Sequence, residues 1–370
     1  MPHMWYTSYM NIIVIAPTIF AADRGTPMRI AGQVRALAIS GHNVHILTYG
    51  LGSTPKDLRN VITVRRIPNF IPWKKTLTSG VSFYKAVADA FLFVLAIFSI
   101  KKTKIIHAHL HEGVLIAWLV SKVLFWKQIK IVGDFHGGFT IEMRYKINFF
   151  QNTLRYIESW IHTLPDIVLT SSFELAHYIE GDRSDEVTFV PDMATVEKKE
   201  LGSLFNIPIN KKIVVYTGAF QKEKGIDLVY DAMIKLQNKN IHWIIAGAPG
   251  QNLHIPKNIL SENYTVVSPL HKKELAHILE IADVAIDPKP ANSLQGSGKL
   301  VNYISAGIPT VAFLSETNAW YSGGDILLAV LPGEFIKNIE KALQQGFIEG
   351  EIVRKSSTGA LLGSIYKELC

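Results

Sequence analysis

The sequence predicts an α/β protein built from two doubly wound parallel-sheet domains. Short runs rich in Ile and Val alternate with longer stretches of helical periodicity, which is typical of parallel βαβ units. This alternation pauses in a polar segment between about Pro191 and Lys211 and then resumes. A chain of 370 residues is also too long for one ordinary core and about right for two.

The expected strands are short apolar runs bounded by turns, and their continuous hydrophobicity predicts burial on both faces of each sheet. In the first half they are Asn11–Ala16, Asn43–Thr48, Ile62–Ile67, Ile105–Ala108, Lys130–Gly133, Ile167–Ser171 and Val187–Val190. In the second half they are Ile213–Tyr216, His242–Ala246, Tyr264–Val267, Val284–Ile286 and Thr310–Phe313. Expected helices include Met28–Ser40, Gly113–Leu124, Ile147–Thr163, Ile226–Leu236 and Leu300–Ala306. We place an N-terminal domain at residues 1–192, a C-terminal domain at 193–350, and a helix at 351–370 that can pack back on the first domain.

Composition narrows the class of protein. Hydrophobic residues make up 48% and charged residues 19%, which indicates a packed globular chain and excludes intrinsic disorder. The formal charge of +7 favours anionic partners: nucleic acid, nucleotide phosphates or an anionic membrane. We find no nucleic-acid-binding motif. The single cysteine, Cys370, excludes an internal disulfide framework and suits a reducing compartment. With no secretory signal at the start, we expect a cytoplasmic protein.

One apolar stretch, Ala86–Ile100, raises the question of membrane contact. It is too short to span a bilayer and contains Asp89. Three lysines follow it, Lys101, Lys102 and Lys104, as at the end of an interfacial helix. We favour a buried amphipathic helix and leave peripheral contact with the cytoplasmic face of a membrane as the alternative.

Ligands of open α/β sheets bind beyond the carboxyl ends of the strands, so the strand-to-helix turns are where we expect chemistry. The first turn ends in Gly25, which allows close backbone approach to a ligand. His107, His109 and His111 have the spacing of one strand face. A three-histidine zinc site is one interpretation, but we prefer histidines that line a cleft. In the next turn, Asp134 and His136 are candidates to orient and polarise a ligand rich in hydroxyl groups.

The second half offers turns suited to phosphate. Gly218 follows the first strand, and Lys222 and Lys224 precede the next helix, although the spacing is not that of a P-loop. Gly247 ends a strand among small residues that leave room for a planar base. The strongest turn is Gly296–Lys299, a Gly-Ser-Gly sequence at a helix start. A lysine in the first helical turn opposes the helix dipole unless an anion is present, which favours a bound phosphate.

The order of these motifs resembles the retaining GT-B glycosyltransferases of glycosyltransferase family 4 over nearly the whole chain. The matching segments are Arg24-Gly25, Ser40–His45, His107–His109, Asp134–Gly137, Tyr216–Gly218, Glu223–Gly225, Ala246-Gly247, Ala282–Val284 and Lys299–Pro309. The resemblance implies a GT-B fold with two domains facing a central cleft. It also implies sugar transfer from a nucleoside-diphosphate sugar with retention and without a required metal.

The resemblance also implies roles for individual residues. Lys224 corresponds to a diphosphate-binding lysine and His136 to a histidine that contacts the donor sugar. Gly25 corresponds to a loop beside the phosphates, and Leu270 to the place where backbone meets the base. With Asp134, His136 and Lys224 as catalytic residues, the expected donor-binding residues are Gly25, Gly218, Lys222, Gly247, Leu270, Gly296, Ser297, Gly298, Lys299 and Asn302.

Three positions depart from the family pattern. Ala219 stands where the family has an arginine, and Leu294 and Asn302 stand where it has a pair of glutamates. Leu294 cannot contact the sugar as a carboxylate does, and Asn302 can bond a ribose only without charge. Lys222 and Lys299 are our candidates to replace the missing positive charge.

We therefore predict a hexosyltransferase-like enzyme that acts in glycan, glycolipid or polysaccharide synthesis. Its expected partners are a nucleotide sugar and a glycan or lipid-linked acceptor, with no cofactor. Two alternatives remain: a degenerate GT-B protein that binds a nucleotide sugar or a partner without efficient transfer, and a GT-B sugar epimerase.

Overall fold

The computed structural model describes residues 10–22, 25–71, 82–100, 103–143, 150–194, 207–208, 210–247, 254–322, 326–345, 361–362 and 365–366. The described chain divides into two compact units. The first contains the residues up to Asp192, the short segment Leu294–Gly296 and the described C-terminal residues. The second contains the described residues from Met193 to Ser293 and from Ser297 to Gln345.

In its described part, the first unit has a seven-stranded parallel sheet of order β3-β2-β1-β4-β5-β6-β7. Its strands are β1 Asn11–Ala16, β2 Asn43–Thr48, β3 Ile62–Arg66, β4 Ile105–His109, β5 Lys130–Phe135, β6 Ile167–Thr170 and β7 Val187–Phe189. Its helices are α1 Gly25–Ile39, α2 Phe83–Ser99, α3 Leu110–Val123, α4 Phe139–Met143, α5 Gln151–His162 and α6 Phe173–Glu180. The central strands are almost completely buried, so helices cover both faces.

The described part of the second unit has a six-stranded parallel sheet of order β10-β9-β8-β11-β12-β13. Its strands are β8 Lys212–Thr217, β9 Ile241–Ala246, β10 Tyr264–Val267, β11 Val284–Asp287, β12 Thr310–Phe313 and β13 Ile326–Ala329. Its helices are α7 Ile226–Lys235, α8 Lys272–Ile281, α9 Gly298–Ser305, α10 Glu316–Tyr321 and α11 Pro332–Gln345. The strand order reverses between β1 and β4 in one sheet and between β8 and β11 in the other. Such reversals are where doubly wound sheets bind ligands.

The predicted class, two doubly wound parallel sheets, is confirmed, but several boundaries differ. Strand β5 continues two residues beyond the predicted end at Gly133, so Asp134 lies within the sheet and not in a turn. Strand β13 was not predicted. The predicted helix Ile147–Thr163 corresponds to α5, while residues 144–149 lie outside the described residues, as do Lys101 and Lys102.

The apolar stretch that raised the membrane question forms α2. One face packs Ala88, Leu92 and Ala96, spaced four residues apart, against the core of the first unit. Asp89 accepts a hydrogen bond of 2.6 Å from the hydroxyl of Tyr49, which explains an acid in so apolar a helix. The opposite face is also apolar and exposed. The preferred interpretation of a buried amphipathic helix is therefore wrong for that face, which exposes Phe83, Phe91, Val94 and Phe98. Among the described residues, no helix combines the length and hydropathy needed to cross a bilayer.

A glycine controls how the second unit's first helix approaches the sheet. Gly225 ends the 3-10 turn Lys222–Lys224 and precedes α7, with φ at +81°. A β-carbon there would lie 2.0 Å from the carbonyl oxygen of Pro288, which follows β11. Only glycine satisfies both the left-handed backbone and this close approach.

We predict that Gly225→Ala destabilises the second unit. The combined strain of a positive φ and a steric clash should cost about 1–3 kcal/mol or more, a fall in Tm of a few degrees or more. Thermal denaturation followed by circular dichroism measures the change. Gly25→Ala is the matched control, because a β-carbon at Gly25 meets nothing within 4 Å. Equal Tm values for the two variants would contradict the prediction.

Candidate functional site

The buried carboxylate of Asp134 is the centre of the polar cluster in the first unit. It lies near the end of β5, beside the end of β4, and is completely buried. Arg29 binds it with two nitrogens, Nη2 to Oδ1 at 2.8 Å and Nε to Oδ2 at 3.1 Å. Gln33, His109 and His136 each contact Oδ2 at 3.0 Å. Two helix side chains and two strand-end histidines therefore converge on one carboxylate.

Arg29 connects this carboxylate to the neighbouring strand ends. Its Nη1 donates to the carbonyl of Val190 and to the carboxylate of Asp192, both at 2.8 Å, and its Nη2 donates to the carbonyl of Thr170 at 3.2 Å. The guanidinium of this α1 residue is buried, and all three of its nitrogens donate hydrogen bonds that hold it in place. The sequence analysis missed Arg29; an arginine among the apolar residues of α1 was the available signal.

Burial and partners set the charge of the cluster. Burial alone would raise the pKa of Asp134, but Arg29 and His136 hold it well below its ordinary value. Burial would likewise lower the pKa of Arg29, and Asp134 and Asp192 hold it above its ordinary value. Burial lowers the pKa of His109 to about 4, against the opposing effect of Asp134. The cluster therefore contains an ion pair and a neutral His109 at pH 7.

The predicted histidines separate into two groups. His107 and His109 share one face of β4 with ring centroids 4.4 Å apart, as the period-two spacing predicted. His109 Nδ1 lies 3.2 Å from His136 Nε2, and Nδ1 of His136 is buried without a hydrogen-bond partner among the described residues. His111 is the second residue of α3 and follows Leu110, whose positive φ of +65° breaks the course of the strand. His111 lies in another cluster, so the three-histidine site is not formed.

Both oxygens of Asp134 have hydrogen-bond partners within the first unit. His136 remains the candidate to contact a ligand from this cluster. Gly25 opens α1 and is exposed, while Asp23 and Arg24 lie outside the described residues.

In the second unit, Asp287 and Lys299 form an ion pair where the strand order reverses; the carboxylate is fully buried and the lysine side chain is 15% exposed. Lys299 Nζ lies 2.9 Å from Asp287 Oδ1 and 4.4 Å from the centroid of the Tyr216 ring. The hydroxyl of Ser297 donates to Asp287 Oδ2. Burial alone would raise the pKa of Asp287, but Lys299 and Lys289 bring it below its ordinary value. The anion that the first-turn lysine of α9 requires is therefore supplied by the protein itself.

Gly218 lies next to this pair. Its φ is +145°, and a β-carbon on it would lie 3.6 Å from Lys299 Nζ and 3.3 Å from the Tyr216 hydroxyl. That hydroxyl donates to the carbonyl of Ala219 at 2.7 Å. The hydroxyl oxygen of Tyr303 accepts a hydrogen bond of 2.8 Å from the backbone N–H of Thr217. The end of β8 is therefore fixed against α9.

The two turn lysines have different surroundings. Lys222 is exposed, and its nearest acid is Asp227 at 3.7 Å, so it lies on the surface. Lys224 is half-buried and directly precedes Gly225, which contacts Pro288. The residue after Lys224 therefore approaches the backbone that follows β11.

Leu270 and Gly247, both predicted to bind the donor, are hydrogen-bonded to each other. Leu270 donates its backbone N–H to the carbonyl of Gly247 at 2.9 Å. A β-carbon on Gly247 would lie 2.2 Å from the ring of Phe220, so the space opened by this glycine holds that ring. The expectation of an empty slot for a planar base is wrong at Gly247.

The turn before α9 contains residues of both units: Leu294–Gly296 belong to the first and Ser297 to the second. Leu294 packs against the core of the first unit, and the N–H of Gly296 donates to Oγ of Ser171 at 3.2 Å. Ser297 and Gly298, the first residue of α9, belong to the second unit. Asn302 is buried on α9. Gly296 therefore does not offer a free amide alongside Gly298.

Asp287 is the main residue of the second unit that the sequence analysis missed. It ends the apolar run of β11 and is followed by Pro288 and Lys289. An acid at the carboxyl end of a fully buried strand was the signal that could have identified it.

Two protein-family models match the chain: Glycosyltransferase Family 4 over residues 24–192 and Glycosyl transferases group 1 over residues 211–345. The fold, two doubly wound sheets with polar clusters at their strand ends, is that of the GT-B glycosyltransferases. The chain belongs to the glycosyltransferases of family 4 and group 1. No curated protein matches the sequence.

Solved structures agree on the fold. Sucrose-phosphate synthase from Thermosynechococcus elongatus is 16% identical with a TM-score of 0.72, covering 97% of this chain and 99% of the other. The catalytic domain of starch synthase IV from Arabidopsis thaliana, bound to ADP and acarbose, is 13% identical with a TM-score of 0.73, covering 98% and 99%. A putative UDP-N-acetylglucosamine 2-epimerase from Listeria monocytogenes is 13% identical with a TM-score of 0.58, covering 98% and 97%. At these identities the likeness establishes the fold alone.

We predict that His109→Asn reduces the acid sensitivity of the protein. Between the unfolded pKa near 6.5 and the folded value of about 4, the unfolded state binds the extra proton, so stability falls as pH falls. Asparagine keeps a neutral donor toward Asp134 but cannot take up the proton. The loss of stability from pH 6 to pH 5 should shrink by up to about 1.4 kcal/mol per pH unit. Thermal melts at each pH measure it.

The exposed His254→Asn is the control and should keep the wild-type pH profile. A His109→Asn profile parallel to that of the wild type would show that His109 is not the group responsible.

Proposed function

We propose that the protein transfers a hexose-like sugar, with retention, from a nucleoside-diphosphate sugar to an acceptor hydroxyl. The observation that carries the proposal is the cluster of Gly218, Lys299 and Asp287 at the carboxyl ends of β8 and β11. It lies where the strand order reverses, the usual ligand site of a doubly wound sheet. Membership of the glycosyltransferase family supports sugar transfer as the reaction.

In this proposal the second unit binds the donor diphosphate. Lys224 and Lys299 supply positive charge, and the first N–H groups of α9 supply donors at the positive end of a helix dipole. The bond between the anomeric carbon and the phosphate oxygen breaks as the acceptor oxygen bonds to that carbon. The acceptor proton passes to the departing phosphate oxygen, so the products are a glycoside and a nucleoside diphosphate. Preorganised charge is what lowers the barrier to such a step.

In the first unit, His136 carries the sugar-contacting role that the family resemblance implies. Asp134 fixes the orientation of its ring through Nε2 and leaves Nδ1 without a protein partner among the described residues. A donor-sugar hydroxyl is a suitable partner for that nitrogen.

A second candidate function is binding of a nucleotide sugar without efficient transfer. It is favoured by Leu294, which packs into the first unit's core where the family has a carboxylate, and by Ala219, which carries no charge. The epimerase alternative needs carboxylates able to exchange protons. Asp134 and Asp287 are both committed to buried ion pairs, which weighs against it.

We predict that the double variant Asp287→Asn/Lys299→Met binds nucleoside diphosphates roughly 10- to 100-fold more weakly than the wild type, because one charged phosphate contact is lost. Removing both partners avoids the unpaired buried charge that Lys299→Met alone would create. Calorimetric titration with UDP, ADP and GDP measures affinity, and a melt checks folding.

Lys224→Ala should have a similar effect, and Lys235→Ala, an exposed lysine on α7, serves as the control. Wild-type affinity in the folded double variant would reduce Lys299 to a structural partner of Asp287. A wild-type protein that binds nucleotide sugars but neither transfers nor hydrolyses them would favour the second candidate function.

We further propose that the first unit docks on an anionic membrane, where a lipid-linked acceptor would be found. The exposed apolar face of α2 continues onto the 3-10 turn Phe125–Lys127, because Lys127 Nζ donates to the carbonyl of Ile100 at 3.0 Å. Phe98, Phe125 and Trp126 are 73%, 73% and 62% exposed. Exposed lysines lie near them in sequence, including Lys104 and Lys122. Aromatic groups flanked by lysines suit a bilayer interface.

We predict that Phe125→Ser/Trp126→Ser loses most binding to vesicles of phosphatidylglycerol and phosphatidylcholine in a sedimentation assay. The loss follows from removing the apolar area that enters the interface. Leu331→Ser, an exposed leucine of the second unit, is the control. Binding by the wild type should also weaken at high salt. Equal sedimentation of both variants with the wild type would argue against this surface.

A further inference from the structure

A second group of histidines and a carboxylate lies in the first unit, apart from Asp134. His111 is in the first turn of α3, while Glu158 and His162 are four residues apart on α5 and so share one face of that helix. All three side chains are almost fully buried. One ligand atom from each lies within 4.8 Å of the others.

The distances between these atoms lie at or beyond the long limit of direct hydrogen bonds and match those between the ligands of one metal ion. His111 Nε2 lies 3.2 Å from His162 Nε2 and 3.4 Å from Glu158 Oε1. Hydrogen bonds between such groups are usually 2.7–3.2 Å long. Two nitrogens that each lie about 2.0–2.1 Å from a tetrahedral zinc ion are about 3.3 Å apart. The observed separations therefore match the edges of a tetrahedron.

The surrounding groups orient the three side chains as metal ligands are oriented. Nδ1 of His162 lies 2.6 Å from the carboxylate of Asp182, which leaves the Nε2 lone pair directed at the cluster. Asp182 is itself fixed by two bonds from Arg155 and one from Ser159. Metal-binding histidines usually donate their other ring nitrogen to such a carboxylate.

Glu158 is also held in place. Its Oε2 accepts a hydrogen bond of 3.0 Å from the Tyr178 hydroxyl, and its Oε1 accepts one of 2.5 Å from the backbone N–H of Phe139. Among the described residues, no lysine or arginine lies within ion-pair distance of this carboxylate. A divalent cation would supply the charge that a buried carboxylate lacks here.

The other histidine and carboxylate cluster differs in that respect. His107, His109 and Asp134 also bring ligand atoms within 4.8 Å of one another. There, however, Arg29 binds both oxygens of Asp134, so an arginine already neutralises the carboxylate. Of the two clusters found among the described residues, the one at Glu158 combines a carboxylate unpaired by arginine or lysine with a histidine held by a second acid.

We propose that His111, Glu158 and His162 form a zinc site, with water as the fourth ligand and Asp182 as the positioning residue. The ion joins the start of α3 to the end of α5. The proposal does not depend on the transferase function, because the site lies in a cluster that takes no part in the donor chemistry described above.

The test uses the full chain. After growth with zinc and extensive dialysis, elemental analysis should find about one zinc per chain, and removal by a chelator should lower Tm by several degrees. Cobalt added to the metal-free protein should give the strong visible absorption of a four-coordinate ion. Glu158→Gln and His162→Gln should lose stoichiometric metal, and Asp182→Asn should weaken binding roughly 10- to 100-fold.

Two control variants show whether the metal is bound by other histidines. His177→Gln removes an exposed histidine, and His109→Asn alters the other cluster; both should retain zinc. If the ligand variants do not fold, the cobalt spectrum and zinc content of the wild type still decide the matter. A wild type without zinc and with a Tm unaffected by added zinc overturns the proposal. So does zinc that remains in Glu158→Gln and His162→Gln, or that is lost from His109→Asn.

Discussion

The ion pair between Asp134 and Arg29 is the interaction on which the first unit's polar cluster depends. A carboxylate with no exposed surface can remain ionised only if donors surround it, and the guanidinium supplies two of them. The same guanidinium also reaches the ends of β6 and β7. The orientation of His136 thus follows from a contact between α1 and β5, far apart in sequence. Breaking one partner of such a pair leaves a buried charge and typically costs 3–5 kcal/mol.

The second unit repeats this principle with different residues. Asp287 ends a buried strand, and Lys299 from α9 balances it over the ring of Tyr216. A lysine held this way has lost its side-chain freedom before any ligand arrives, so an incoming phosphate finds a preorganised cation. Because the pair is already neutral, the affinity gained from Lys299 depends on how far its charge is shared between Asp287 and the phosphate.

The layers of both sheets could be predicted from the sequence, because runs of Ile and Val in parallel strands carry a strong and local pattern. For the candidate sites, the sequence predicted which strand-to-helix turns to consider but not which side chains pair with one another. Asp134 was assigned to a turn because the strand was predicted to end at Gly133, and its partner Arg29 lies 105 positions away in sequence. Lys299 was interpreted as a sign of a bound anion because Asp287, the anion with which it pairs, was not recognised in the sequence. Pairing between distant residues is the information that local periodicity does not contain.

The composition of the first unit has a consequence for how the chain folds during synthesis. Leu294 and Tyr366 both belong to it, and the Tyr366 hydroxyl lies 2.5 Å from Nδ1 of the buried His107. A ribosome makes the seven strands of this unit long before it makes Tyr366. The two partners are 259 positions apart in sequence, so this contact forms only when nearly the whole chain has been made.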